Sequence, residues 1–101
     1  MSRILMTGLA LAACSGAAWA ASAAGKPCEG VFLRASSGQA IVEGSDLEPS
    51  ADRRAKGTRA RFIGFDVFAG RRYYLVDGGD LHAAPAVRLD RGCRLGKVTQ
   101  Y

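Results

Sequence analysis

Cys28 and Cys93 bracket most of a 101-residue chain, one near the start and one near the end of its foldable part. Residues 27–101 make up a segment of about 75 residues, a size at which apolar burial alone is only marginally stabilising. A covalent link between its ends constrains such a fold more than any other feature, and whether the link forms depends on the compartment. The N-terminus speaks to that. Met1-Ser2-Arg3 is a short positive segment, and the apolar run from Ile4 to Ala13 has ten residues, too few to span a bilayer and enough for a secretory leader. An exported chain meets oxidising conditions, so the sequence predicts a Cys28–Cys93 disulfide. Closing a loop of that length contributes roughly 4 kcal/mol on the chain-entropy account.

Two cleavage signals compete inside the leader. Ala18-Trp19-Ala20 places small residues at alternate positions, as the general signal peptidase requires, and predicts a signal peptide over residues 1–20. Leu11-Ala12-Ala13-Cys14 resembles a lipobox, which gives the alternative of a lipoprotein signal over residues 1–13 and a diacylglyceryl group on Cys14. Ser15 after it implies, by that resemblance, sorting to an outer membrane. Trp19 is the sole tryptophan and lies between the two cut sites. Cleavage after Ala20 leaves 81 residues and no tryptophan, whereas processing at Cys14 leaves 88 residues and one.

From Ala17 to Gly25 the chain is Ala, Ser and Gly around one Trp, with too little to bury, so residues 21–26 are predicted to be a flexible tether and residues 27–101 a single β domain. Val31 to Arg34 and Ala40 to Glu43 flank Ser36-Ser37-Gly38 and predict a hairpin. Over Arg61 to Phe68, strict alternation puts Ile63, Phe65 and Val67 on one face, with Gly64 and Asp66 on the other. Ala69-Gly70 turns this strand into Arg71 to Val76, which Asp77-Gly78-Gly79-Asp80 ends. Val87 and Leu89 then face inward on one strand and Cys93 and Leu95 on the next, around a loop of Asp90-Arg91-Gly92 in which Gly92 supplies a left-handed residue. Pro85 suits the start of the first of these strands. Only one segment has helical signals: Ser50 stands where it caps residues 51–56, Asp52 lies in the first turn, cations follow, and Gly57 is placed as a stop. That segment is predicted as a short helix or a basic loop.

These patterns predict an all-β fold, a small disulfide-closed antiparallel barrel or twisted sheet of the SH3-like or OB-like kind. "VFLRASSGQAIVE" from Val31 and "FDVFAGRRYYLVDGGDL" from Phe65, each a strand, a Gly turn and a second strand, together resemble the small SH3-like (Sm-like) lipoproteins of bacterial envelopes. The chain departs from that family in its two end-joining cysteines, its longer basic connector from Pro49 to Arg61 and its extra C-terminal hairpin. What the resemblance implies is an envelope-associated, non-enzymatic domain, and fold alone does not fix what such a domain binds.

The formal charge is +5; without Arg3 there are 13 basic against 9 acidic side chains, a net +4. Outside the cytoplasm that excess points to anionic lipid, lipopolysaccharide or acidic polymer before nucleic acid. Arg53, Arg54, Lys56, Arg59 and Arg61 put five cations into nine residues with no acid among them, a candidate anion-binding connector; on the predicted helix Arg53 and Lys56 share a face. Arg71-Arg72 beside Tyr73-Tyr74 extends it, one Tyr facing the core and its neighbour the other way. Asp77, Asp80 and His82, the sole histidine, lie within six residues of one another but lack the further strong ligand that a closed zinc site needs, so His82 is predicted as a loop residue and no metal or cofactor is expected. No nucleophile elbow or phosphate-cradling Gly loop is present, and no sequence signal ties His82 to a particular Ser.

The sequence therefore predicts a binding or structural module of the cell envelope rather than an enzyme, in the periplasm or outside the cell, or alternatively anchored to the outer membrane as a lipoprotein. Its partner is an anionic envelope component or another envelope protein, and it touches membrane only through lipid at Cys14 or surface charge. The alternative is a small secreted inhibitor that occupies another protein's site with a rigid β loop.

Overall fold

A computed structural model describes residues 26–98 apart from Ser45. The predicted leader, its alternative end at Cys14 and the tether up to residue 25 lie outside the described residues. Seven strands form one mainly antiparallel sheet: β1 (Cys28–Phe32), β2 (Ser36–Ile41), β3 (Leu47–Arg54), β4 (Arg59–Phe68), β5 (Arg71–Val76), β6 (Leu81–Ala83) and β7 (Val87–Leu89). Their spatial order is β3-β2-β6-β5-β4-β1-β7. The remaining regular element among the described residues is a single 3-10 turn, Ala84–Ala86, with Pro85 inside it, where a missing N–H is tolerated.

The sheet curls so that β1 faces β6 across its inner side, where the Phe32 and His82 rings meet edge to face at 4.9 Å. It is not closed into a barrel: β3 and β7 are its two edges. An open, disulfide-linked sheet therefore stands where an SH3-like or OB-like barrel was one expectation. The core is small. Phe32, Phe62, Val76 and Val87 form its centre, and Ala60, Tyr74, Leu89 and Leu95 pack around them. Burying each large apolar side chain contributes roughly 1.5–3 kcal/mol, so a core of this size leaves the links at the sheet's ends with much of the work.

The β4–β5 hairpin forms around the predicted turn, and Ala69 and Gly70 both take positive φ, 52° and 77°. This is the two-residue turn whose twist matches a hairpin's strands. A bulge between Phe62 and Gly64 interrupts the alternation expected for β4. It turns Phe62 fully into the core and leaves Val67 at 44% exposure. The turn at Asp90 to Gly92 also forms, with Gly92 at φ 84° and the Cys93 N–H donating to the Asp90 carbonyl at 3.0 Å. No regular strand follows it; β7 pairs with β1 instead.

Two expectations are corrected. β1 and β2 make no hairpin with each other, because β1 is paired on both sides by β4 and β7 while β2 lies between β3 and β6. Residues 47–54 are a strand, neither helix nor loop, with Ser50, Asp52 and Arg54 turned inward and Ala51 and Arg53 outward. Cross-strand pairing with β2 outweighs the local capping signal at Ser50, and the edge position of β3 is where a proline is tolerated in a sheet.

Candidate functional site

The disulfide joins Cys28, the first residue of β1, to Cys93 just past the last turn, with Cα atoms 5.8 Å apart. The stretch that follows runs along the edge of β4 that β1 leaves free. The Phe65 N–H donates to the Gly96 carbonyl at 2.9 Å and the Val98 N–H to the Phe65 carbonyl at 2.8 Å, a parallel bridge that extends the sheet.

At the opposite end a polar cluster is built around Asp52 of β3. Its Oδ1 accepts from Arg54 Nε at 2.6 Å, and its Oδ2 accepts the Asp80 N–H from the β5–β6 turn at 2.9 Å. His82, wholly buried on β6, presents Nε2 3.2 Å from the same oxygen. The approach is off the N–H axis, so that nitrogen has no well-formed hydrogen bond and the contact is one of proximity and charge. The carboxylate favours a proton on Nε2, which leaves Nδ1 to accept from the Ser36 hydroxyl 2.7 Å away. Burial pushes the Asp52 carboxyl upward. The Arg54 guanidinium, the Asp80 N–H and His82 together outweigh that and hold it at about 2 against an ordinary 3.8. Gly79 lies against this group so closely that an added Cβ would stand 2.5 Å from Asp52 Oδ2.

His82 is thus a buried strand residue, a correction to the loop position expected for it. Serine, histidine and aspartate occur here in the order familiar from hydrolases, but the imidazole is wholly buried with its ring edge to face against Phe32. The geometry ties β3 to β6 and to the turn before it. The other metal candidates are dispersed, since Asp77 is exposed and faces Arg61 at 4.0 Å and Asp80 contributes its backbone. Among the described residues no group of three or more His, Cys, Asp or Glu is placed to hold a metal ion.

The predicted basic connector is likewise not one surface. Arg54 turns inward to Asp52; Arg59 pairs with Asp90 at 2.6 Å and lies 3.7 Å from Glu29; Arg61 faces Asp77. Arg53, outward on β3, and Lys56, in the turn before β4, have no carboxylate within 4 Å among the described residues. On a strand, consecutive Arg53 and Arg54 point to opposite faces, so the shared helical face of Arg53 and Lys56 does not exist. The outer ion pairs are half exposed and contribute little to stability.

Arginines from two segments border a groove elsewhere. Arg34, from the β1–β2 connection, lines a groove of about 580 Å³ with Arg71, Arg72 and Tyr73 of β5 and Ala83, Ala84 and Pro85. None of the three arginines has a carboxylate within 4 Å among the described residues. Arg72 lies over the Phe65 ring, 4.2 Å from its centroid, and Tyr73 stacks edge to face with Phe68 at 6.1 Å while Tyr74 packs on the core. The Arg71-Arg72 pair was visible in the sequence; Arg34 was not, because only the folded chain brings it from 37 residues away. No family model, curated protein or solved structure matches this chain.

Proposed function

We propose that the protein is an exported, non-enzymatic module of the cell envelope that docks onto an anionic lipid or lipopolysaccharide surface. One observation carries this reading: Arg34, Arg71 and Arg72, which have no carboxylate within 4 Å among the described residues, border one groove, and the exposed Leu33 and Val67 adjoin two of them. Leu33, 43% exposed, precedes Arg34 in the chain, and Val67, 44% exposed, pairs with Arg72 across the β4–β5 hairpin. Cations interleaved with exposed apolar groups suit a headgroup layer, where each cation contributes on the order of 1 kcal/mol and apolar side chains enter the interface. The disulfide supports an oxidising compartment, and the full burial of the one imidazole favours binding over catalysis. Among the described residues no helix is long and apolar enough to cross a membrane.

Cosedimentation of the mature protein with phosphatidylcholine vesicles, alone and doped with anionic lipid or lipopolysaccharide, tests the reading. Binding should require the anionic component, weaken steadily as salt rises and weaken further in Val67→Ser. Binding that ignores both salt and lipid charge, or no binding to any vesicle, overturns it. An intact mass of the membrane-bound and soluble fractions reports in the same experiment whether Cys14 or Ala20 marks the processed end.

A further inference from the structure

The β4–β5 hairpin runs past the rest of the sheet. β6 pairs with β5 as far as Tyr73, which lies opposite Ala83, and on its other side β4 is joined to the 96–98 stretch at Phe65. From Val67 to Arg72 the two strands pair only with each other among the described residues. At about 3.4 Å per residue, Val67, Phe68 and Ala69 carry the turn about 10 Å beyond the Tyr73–Ala83 pair. Val67, Ala69, Gly70, Arg71 and Arg72 are exposed and Phe68 is half-buried, its ring against Tyr73.

The residues of this arm sort by distance from the turn. Val67, Phe68 and Ala69 are apolar, Arg71 and Arg72 follow on the return strand, and Asp66, the one acid among residues 65–74, sits a pair further back, level with Tyr73. Neighbours on a strand point to opposite faces, so Arg72 shares a face with its partner Val67 and Arg71 with its partner Phe68. Each face thus carries one apolar side chain and one cation. A hairpin that lies flat on a charged surface needs its cations on one face. One that enters tip first needs them on both, where each long side chain reaches back to the headgroup phosphates around it. The turn carries a second signal. Ala69 holds φ 52°, a left-handed conformation that Asn, Asp and Gly adopt with less strain and that two-residue hairpin turns ordinarily assign to them. Strain kept where a polar residue would relieve it points to a use for the apolar one. A reach of about 10 Å matches the depth from headgroup to acyl boundary.

We infer that the β4–β5 hairpin is the element that enters the membrane interface, tip first, with Val67, Phe68 and Ala69 at the acyl boundary and Arg71 and Arg72 against the phosphates of anionic lipids. The inference deepens the docking reading above and rests on it, naming the contact that reading leaves open.

A Trp19→Phe background leaves either processed form without tryptophan, and Phe68→Trp or, on the outward side of edge strand β3, Ala51→Trp then supplies a single reporter. Each variant is mixed with phosphatidylcholine vesicles containing phosphatidylglycerol, with and without brominated acyl chains, after circular dichroism has checked that it is folded. The emission of Phe68→Trp should shift to the blue on binding and be quenched by the brominated lipid, while that of Ala51→Trp should stay unchanged. Without a reporter, Ala69→Asn should melt at a higher temperature than the native protein yet bind the same vesicles several-fold more weakly, and Arg71→Gln/Arg72→Gln should bind roughly tenfold more weakly or worse. Vesicle binding in which Phe68→Trp is unquenched, or is quenched no more than Ala51→Trp, overturns tip-first entry and leaves surface docking in place. Ala69→Asn binding as tightly as the native protein overturns it as well. Failure to bind any anionic vesicle overturns both readings.

Discussion

At the β1–β7 end the chain is held by a covalent bond and by backbone hydrogen bonds, from Phe65 to Gly96 and Val98; at the β2–β3 end it is held by one carboxylate that accepts from Arg54 and from Asp80 and lies against His82. The first closure acts mainly on the unfolded chain, by limiting its freedom. The second acts on the folded state and depends on charge, so it is open to pH and to single side-chain changes in a way the first is not. A small core shared by both ends makes the contrast measurable.

The largest effect should follow removal of the covalent closure. Cys28→Ser with Cys93→Ser is expected to cost roughly 2–5 kcal/mol, a drop in melting temperature on the order of 20 °C by thermal unfolding; a loss no greater than that of the polar variants would erase the contrast. Asp52→Ala comes next, at roughly 3 kcal/mol, because it leaves Arg54, the Asp80 N–H and buried His82 without their shared partner. Hydrogen exchange should then rise in β3 and the 77–80 turn and stay unchanged in β1 and β7. Equal acceleration at both ends would mean that the seams are not independent.

Acid should open the polar end selectively. The Asp52 carboxyl is depressed in the fold, so its contribution, about 2 kcal/mol, is fully present above its ordinary 3.8 and is lost as pH falls toward about 2. Urea unfolding across that window should show the loss in the native protein and not in Asp52→Asn; an identical acid profile in the two would assign the sensitivity to other carboxylates. Ser36→Ala is the mildest test. Removing the hydroxyl from His82 Nδ1 should cost about 1 kcal/mol, and a cost near that of Asp52→Ala would show the histidine, rather than the aspartate, to be the anchor.

How much of this was readable in advance depends on distance along the chain. The β4–β5 hairpin was legible because alternation and a two-residue turn are local properties, and the turn at Gly92 for the same reason. Residues 47–54 misled because a capping serine, an early acid and late cations are also local and favour a helix of about two turns, which is marginal on its own. Pairing with β2 and the inward anchor at Asp52 decided otherwise. The candidate site behaved alike: Arg71-Arg72 stood out as neighbours, whereas Arg34, and the Ser36, Asp52 and His82 of the polar seam, come together from separate strands and leave no spacing to find.

The sequence alone determined the all-β character, the disulfide and the turns at Ala69-Gly70 and Gly92, since each rests on residue type and near-neighbour geometry or, for the cysteines, on their being the two left to the foldable segment. Only the tertiary structure decided that the sheet stays open, that the basic connector is divided among acidic partners, and that Arg34 borders the same groove as Arg71 and Arg72. Strand order and side-chain pairing follow from non-local contacts, whose energies are settled only when the whole sheet is in place.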